Sequence, residues 1–217
     1  MRTVFALFNF KSSDLAAEEK NYADNHVRLA RQLPGLRQYI TGRLRGPAGQ
    51  QPSYYRAATL SFDNNDAKRT AMRDSAVAKP LVADGEAHMS ETRWMEFESE
   101  IIVPFTAKQS GKECFIMAAE FDLKLDGLDA AAAEKRYLEH HTQLARRLPD
   151  LRHYIVGRLM PVAGTQPERT RMAFLVFDNA DAFKSAYRSP AGFDLAKDEE
   201  STVTNARVYR LDATVQI

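Results

Sequence analysis

The chain has 217 residues, 44% of them hydrophobic and 27% charged, with 30 basic residues against 29 acidic ones and a net charge of +1. That balance gives no electrostatic reason to expect nucleic acid or an anionic membrane as a partner, and no run is apolar enough to span a bilayer. The one cysteine, Cys114, cannot close an internal disulfide, so nothing points to an oxidising compartment and the cytoplasm is the expected location.

The first apolar stretch, Val4 to Phe8, is too short for a secretory signal and has no small-residue cleavage site after it. It reads as part of a strand over residues 3–10. A helix is expected over 14–33, with Ser12, Ser13 or Asp14 as its N-cap. Its apolar stripe is Leu15, Tyr22, His26, Leu29 and Leu33, and Pro34 ends it. Residues 36–45 alternate in polarity as a half-buried strand does. Pro47, Gly49 and Pro52 carry turn chemistry, and 54–62 is a further strand. A second helix runs over 64–73 and continues loosely to position 88. A fourth strand spans 92–103, and Trp94 is expected to pack within it.

The same series then begins again. Tyr22 and His26 recur as Tyr137 and His141 at a shift of 115 (137 − 22). That shift also carries Leu33-Pro34 onto Leu148-Pro149, Tyr39-Ile40 onto Tyr154-Ile155, Ala48-Gly49 onto Ala163-Gly164 and Arg56 onto Arg171. No gap is needed from Lys20 to Ala76. The second copy gives strands near 113–122, 151–160, 169–177 and 204–215, with helices near 128–148 and 179–188. Cys114 falls on its first strand and is expected to be buried.

Two copies at so long a period are a domain duplication. The order β-α-β-β-α-β, twice, predicts an α+β fold of two ferredoxin-like repeats, 1–106 and 107–217. An antiparallel sheet with helices on one face needs cover on the other. The repeats are therefore expected to pack sheet to sheet as an intramolecular pseudo-dimer, joined by the polar segment Pro104 to Lys112. Exposed edge strands leave a homodimer open.

His26 and His141 are the main candidates for chemistry. Each sits on the inward stripe of a helix one turn after a tyrosine, Tyr22 or Tyr137, where side chains at i and i+4 meet. Imidazole is the natural acid or base at neutral pH, and the competing reading is a hydrogen-bonded core histidine. On the second strand of each copy, Arg37, Tyr39 and Arg43, and Arg152, Tyr154 and Arg158, share a face. These arginines read either as salt-bridged, with Glu96, Glu98 and Glu100 as candidate partners, or as a clamp for a carboxylate. Asp63-Asn64 and Asp178-Asn179 read as helix caps. No zinc spacing, phosphate loop or dinucleotide fingerprint occurs, so neither metal nor cofactor is expected.

The run from Tyr22 and His26 through Leu33-Pro34-Gly35-Leu36-Arg37 to Tyr39 resembles the helix-to-strand signature of EthD-like proteins. Those belong to the dimeric α+β barrel superfamily. Copy two has Leu148-Pro149-Asp150-Leu151-Arg152, with Asp150 in place of the glycine. The resemblance implies a barrel made by two ferredoxin-like units and a cleft between helices and sheet in each. It also implies a small organic ligand. Either acid/base catalysis without a cofactor (a cyclase, isomerase, dehydratase or decarboxylase) or a non-catalytic accessory role fits such a cleft. Under the first, His26, His141, Tyr22 and Tyr137 act on the ligand, while Arg37, Tyr39, Arg152 and Tyr154 bind it.

Overall fold

The computed structural model describes all residues except 48–49 and 107–108. The Ala48-Gly49 part of the repeat and the expected boundary at Ala107 lie outside the described residues. The chain forms two compact units. The first comprises Met1–Glu96, Gln109–Lys112 and Ala213–Ile217, and the second comprises Phe97–Lys108 and Glu113–Asp212.

In the first unit, strand β1 (Arg2–Phe10) leads into a helix of three segments: α1 (Leu15–Asn21), a π-helical turn (Tyr22–Val27) and α2 (Arg28–Ala30). Strands β2 (Leu36–Arg45) and β3 (Arg56–Phe62) follow. Then come α3 (Asn65–Arg69), a second π-helical turn (Thr70–Asp74), α4 (Ala78–His88) and the start of β4 (Met89–Val103). The second unit repeats the plan. It has β5 (Glu113–Leu123), α5 (Ala130–Arg136), a π-helical turn (Tyr137–His141), α6 (Thr142–Ala145), β6 (His153–Met160) and β7 (Arg171–Phe177). It closes with α7 (Ala180–Tyr187), α8 (Pro190–Thr202) and β8 (Val203–Val215). The α+β class and the βαββαβ order expected from sequence are those of the structure.

In each unit the third strand is central. Strand β3 pairs antiparallel with β1, Leu7 opposite Ala57, and with β2, Thr41 opposite Ala58. Strand β7 pairs in the same way with β5, Ala119 opposite Ala173, and with β6, Tyr154 opposite Leu175. All residues of β3 and β7 are buried; β7 accordingly reads as a near-continuous apolar run, while β3 intersperses Thr59 and Ser61. One sheet face of the first unit packs on its helices through Phe8, Tyr22, Tyr39, Leu60, Phe62 and Leu81. The corresponding core of the second holds Phe121, Tyr137, Tyr154, Leu175, Phe177 and Leu195. Cys114 is buried, and burial pushes its thiol up to about 12.

Several expectations are corrected. The first helix is not regular over 14–33. Asp14 caps it by accepting from the Ala17 backbone N–H at 3.1 Å, and it ends at Ala30. Its π turn adds a residue to the period, so the stripe changes phase: Glu18, Val27 and Ala30 are buried while Leu15 is 41% exposed. The second helix of copy one is α3, a π turn and α4, not one helix fading out. In copy two, α8 was not anticipated at all. Trp94 does not pack inside but is 46% exposed. Among the described residues no helix is long and apolar enough to cross a membrane.

Candidate functional site

The helix of each unit and the strands beneath it face each other through alanine. Ala6, Ala30 and Ala58 in the first unit, and Ala119, Ala145 and Ala173 in the second, stop short of filling the space between helix and sheet. What is left is a cavity of about 350 Å³ in the first unit and one of about 240 Å³ in the second. His26 and Tyr39 line the first, and Tyr137, His141 and Tyr154 line the second.

The π turn sets the histidine against its tyrosine. The Tyr22 and His26 rings stack with centroids 5.1 Å apart at 15°, and Tyr137 and His141 do so at 5.2 Å and 20°. A carboxylate from the helix before the last strand completes each pair. His26 Nδ1 is 2.8 Å from Asp84 Oδ2 on α4, and His141 Nδ1 is 2.7 Å from Asp198 Oδ2 on α8. An ionised carboxylate only accepts, so Nδ1 carries the proton and Nε2 keeps its lone pair. Burial pulls both histidines below the ordinary imidazole value, outweighing the opposing pull of Asp84 and Asp198. Each is therefore neutral near pH 7. Burial works to raise the Asp198 carboxyl, but hydrogen bonds from His141 and from Thr202, the latter at 3.0 Å, hold it below its usual range.

Beneath each tyrosine lies a buried ion pair. The Arg56 guanidinium sits 4.4 Å from the Tyr22 ring centroid and that of Arg171 sits 4.9 Å from the Tyr137 ring, within cation–π range. Arg56 donates to Glu19 and Arg171 to Glu134. Burial works to raise Glu19, yet Arg56 and Arg43 bring it below the ordinary value.

The two sites then diverge. The Tyr22 hydroxyl bonds Thr41 Oγ1 at 2.8 Å and the Tyr39 hydroxyl at 3.2 Å. Val156 occupies the position of Thr41 in the second unit. The Tyr137 hydroxyl there is buried without a hydrogen-bond partner, as is that of Tyr187. Tyr154 stands close enough to polarise Tyr137, but no hydrogen bond of ordinary geometry joins them. Burial pushes Tyr137 up to about 12. Burial, with Asp198 adding to it, also raises the Glu199 carboxyl to about 7.

The structure thus brings together Tyr22, His26 and Tyr39, and again Tyr137, His141 and Tyr154. It does not bring in the arginines. Arg37 is a surface residue gripping Asp63 from Nε at 2.9 Å and Nη2 at 2.6 Å, and Arg152 pairs with Asp178. Neither lines either of these two cavities. Arg43 pairs with Glu19 and Arg158 with Glu134, not with the glutamates expected, and Glu96 binds Lys68. Only the asparagines of the two Asp-Asn pairs cap helices, at Ala67 and Ala182. Among the described residues no group of three or more His, Cys, Asp or Glu could hold a metal ion.

Asp84 and Asp198 were missed because they stand at a shift of 114 (198 − 84), one residue out of the register of the rest. Glu19 and Glu134 keep the shift of 115, a recurrence that could have marked them beside Arg56 and Arg171.

A family model described as EthD domain matches residues 125–204, a segment that contains Tyr137, His141 and Asp198. The same elements recur in the first unit. The second unit thus carries an EthD domain. The fold of the chain is shared along its whole length by solved structures. A candidate monooxygenase from Lactobacillus acidophilus NCFM is 14% identical with a TM-score of 0.66, over 99% of this chain and 96% of its own. A candidate monooxygenase from Fusobacterium nucleatum is 10% identical with a TM-score of 0.68, over 100% and 92%. An anthrone oxidase-like protein is 13% identical with a TM-score of 0.60, over 99% and 93%. At such identities the likeness establishes the fold alone. No curated protein sequence matches the chain.

Proposed function

We propose that each repeat, 1–106 and 107–217, binds a small, partly apolar organic molecule in its helix–sheet cleft, and that His26 and His141 move a proton on it. The observation that carries this reading is the buried carboxylate–imidazole pair, His26 with Asp84 and His141 with Asp198, present in both clefts. The carboxylate fixes the tautomer, and Nε2 has no protein partner among the described residues. A neutral, oriented imidazole on an apolar cavity wall is equipped to accept a proton from carbon or oxygen. Its carboxylate then stabilises the imidazolium that forms. Stacked Tyr22 and Tyr137 fix the ring planes, and Tyr39 and Tyr154 contact the ligand. The reactions within reach need no cofactor: cyclisation, isomerisation, dehydration or decarboxylation. Arg37 and Arg152 have no place in this scheme, being tied to Asp63 and Asp178.

A carbon acid of suitable size and polarity, 2-tetralone, tests it. The protein in D2O is expected to speed exchange of the protons next to the carbonyl, followed by NMR. Replacing both histidines (His26→Ala with His141→Ala) should slow the protein-dependent exchange by roughly 10²-fold or more. Unchanged exchange in the double variant sinks the proton-transfer role. Saturable binding with no exchange in the native protein would favour the accessory role instead.

A further inference from the structure

The copies are offset by one residue where the cavities differ most. Asp84 and Asp198 correspond, so the next residues, Gly85 and Glu199, correspond too. Both line their cavities. A Cβ at Gly85 would meet His26 and Met89 only at 3.8 Å, so glycine is not forced there by crowding. Glu199 instead places a carboxyl where it acts on Tyr137, Tyr154 and Tyr187. The rest of the wall follows suit. Apart from His26 and Tyr39, the first cavity is faced by groups such as Met72, Leu81, Met89 and Trp94, with Glu86 exposed at its edge. The second is lined by Glu199, by Tyr137 and Tyr187 with their unpartnered buried hydroxyls, and by Arg210, which has no ion-pair partner among the described residues.

We propose that the two clefts take different classes of ligand: the first a neutral, apolar molecule, the second a smaller molecule bearing an acidic group held by Arg210, Tyr187 and Glu199. Buried hydroxyls without a protein acceptor or donor are costly unless something else satisfies them. A ligand oxygen does so for Tyr137 and Tyr187. Arg210 supplies the charge that an anion needs at the edge of a low-dielectric pocket. Glu199 sets the pH range. The charged and titratable groups around it are Asp198 on its own helix, Tyr137, His141 and Tyr154 across the cavity, Tyr187 on α7 and Arg210 on β8. With burial holding the Glu199 carboxyl near 7, it is protonated below that pH, where it donates a hydrogen bond to an anionic oxygen. It is ionised above, where it repels one.

The proposal rests on the reading of both clefts as ligand sites, and one experiment separates the two. Met72 and Met89 line the first cavity and Met117 the second, so protein labelled with ¹³C in the methionine methyls reports on each cleft independently. The probes are adamantane-1-carboxamide and adamantane-1-carboxylate, alike in size and different in charge. The carboxamide is expected to shift Met72 and Met89, and the carboxylate to shift Met117. The carboxylate should bind more tightly at pH 6 than at pH 8. Glu199→Gln should remove that dependence, and Arg210→Ala should weaken the Met117 response by about tenfold. If both probes shift both sets of methionines with equal affinity and no pH dependence, the clefts are ligand sites but the division between them is wrong. If neither probe moves any of the three, the ligand-site reading fails and the division with it.

Discussion

At the scale of single residues, the aspartates decide what the histidines are. His141 is buried to 6% exposure, and without a partner such a ring would be a packing residue. Asp198 gives it a tautomer and a direction. Of the influences on His141, burial lowers its pKa most and Asp198 opposes that. Asp198→Asn should therefore move the His141 titration further down, read from the ring Hε1 shift in NMR. It should also disorder the choice of tautomer, since an amide can both donate and accept. A His141 titration that stays in place or rises would mean that Asp198 does not govern the ring. The arginines teach the opposite lesson. Arg37 shares a strand with Tyr39, yet it meets only Asp63 at the surface.

At the scale of elements, the helix-to-strand junction of each copy rests on one backbone conformation. Gly35 has φ +70° and Asp150, its counterpart, has φ 58°. Glycine enters the left-handed region without penalty and aspartate is among the few other residues to tolerate it. Copy two thus keeps the turn at some cost. Asp150→Gly is expected to raise unfolding stability by about 1 kcal/mol in a denaturant titration, with the ligand responses unchanged; a loss of stability would show that the Asp150 side chain has a compensating role. Helix α8 shows how an element is hidden in sequence. Ser189 caps it, accepting from the Gly192 N–H at 3.2 Å, and Pro190 opens it. Pro and Gly so close together resemble a turn. Gly192 is there because a Cβ would lie 2.5 Å from the Ala186 carbonyl oxygen, a helix-to-helix approach visible only in three dimensions.

At the scale of the molecule, buried histidines make stability depend on pH. His153 stacks on Phe105 with centroids 4.3 Å apart. Burial pulls it down to about 4, against a hydrogen bond with the Val103 backbone that raises it. A group depressed on folding binds its proton in the unfolded chain first, so its contribution is whole above the ordinary value of about 6.5 and is lost as pH falls towards the folded value. His26 and His141 are shifted in the same direction. Between pH 7 and pH 4.5 the protein should lose stability. His153→Phe should make that loss smaller by a margin on the order of 2 kcal/mol, measured by urea unfolding at the two pH values. Equal losses in variant and native protein would exclude His153 as a source.

The sequence by itself determined the duplication, the βαββαβ order and the Tyr–His pairs, because all three follow from local periodicity or from a shift of 115 that keeps register through the first helix and the second and third strands. It also placed Asn64 and Asn179 as caps, since capping is settled within three residues. Only the tertiary structure decided what faces the histidines. Asp84, Asp198 and Glu199 lie on helices that follow the change of register, and the two aspartates meet their histidines across more than fifty residues of chain. The π turns were hidden as well, because one extra residue in a helix leaves the side-chain types unaltered and changes only which of them point inward. The cavities come from alanines whose smallness matters only once a helix is laid across them. That is why two clefts could be expected from the sequence, while the chemical difference between them could not.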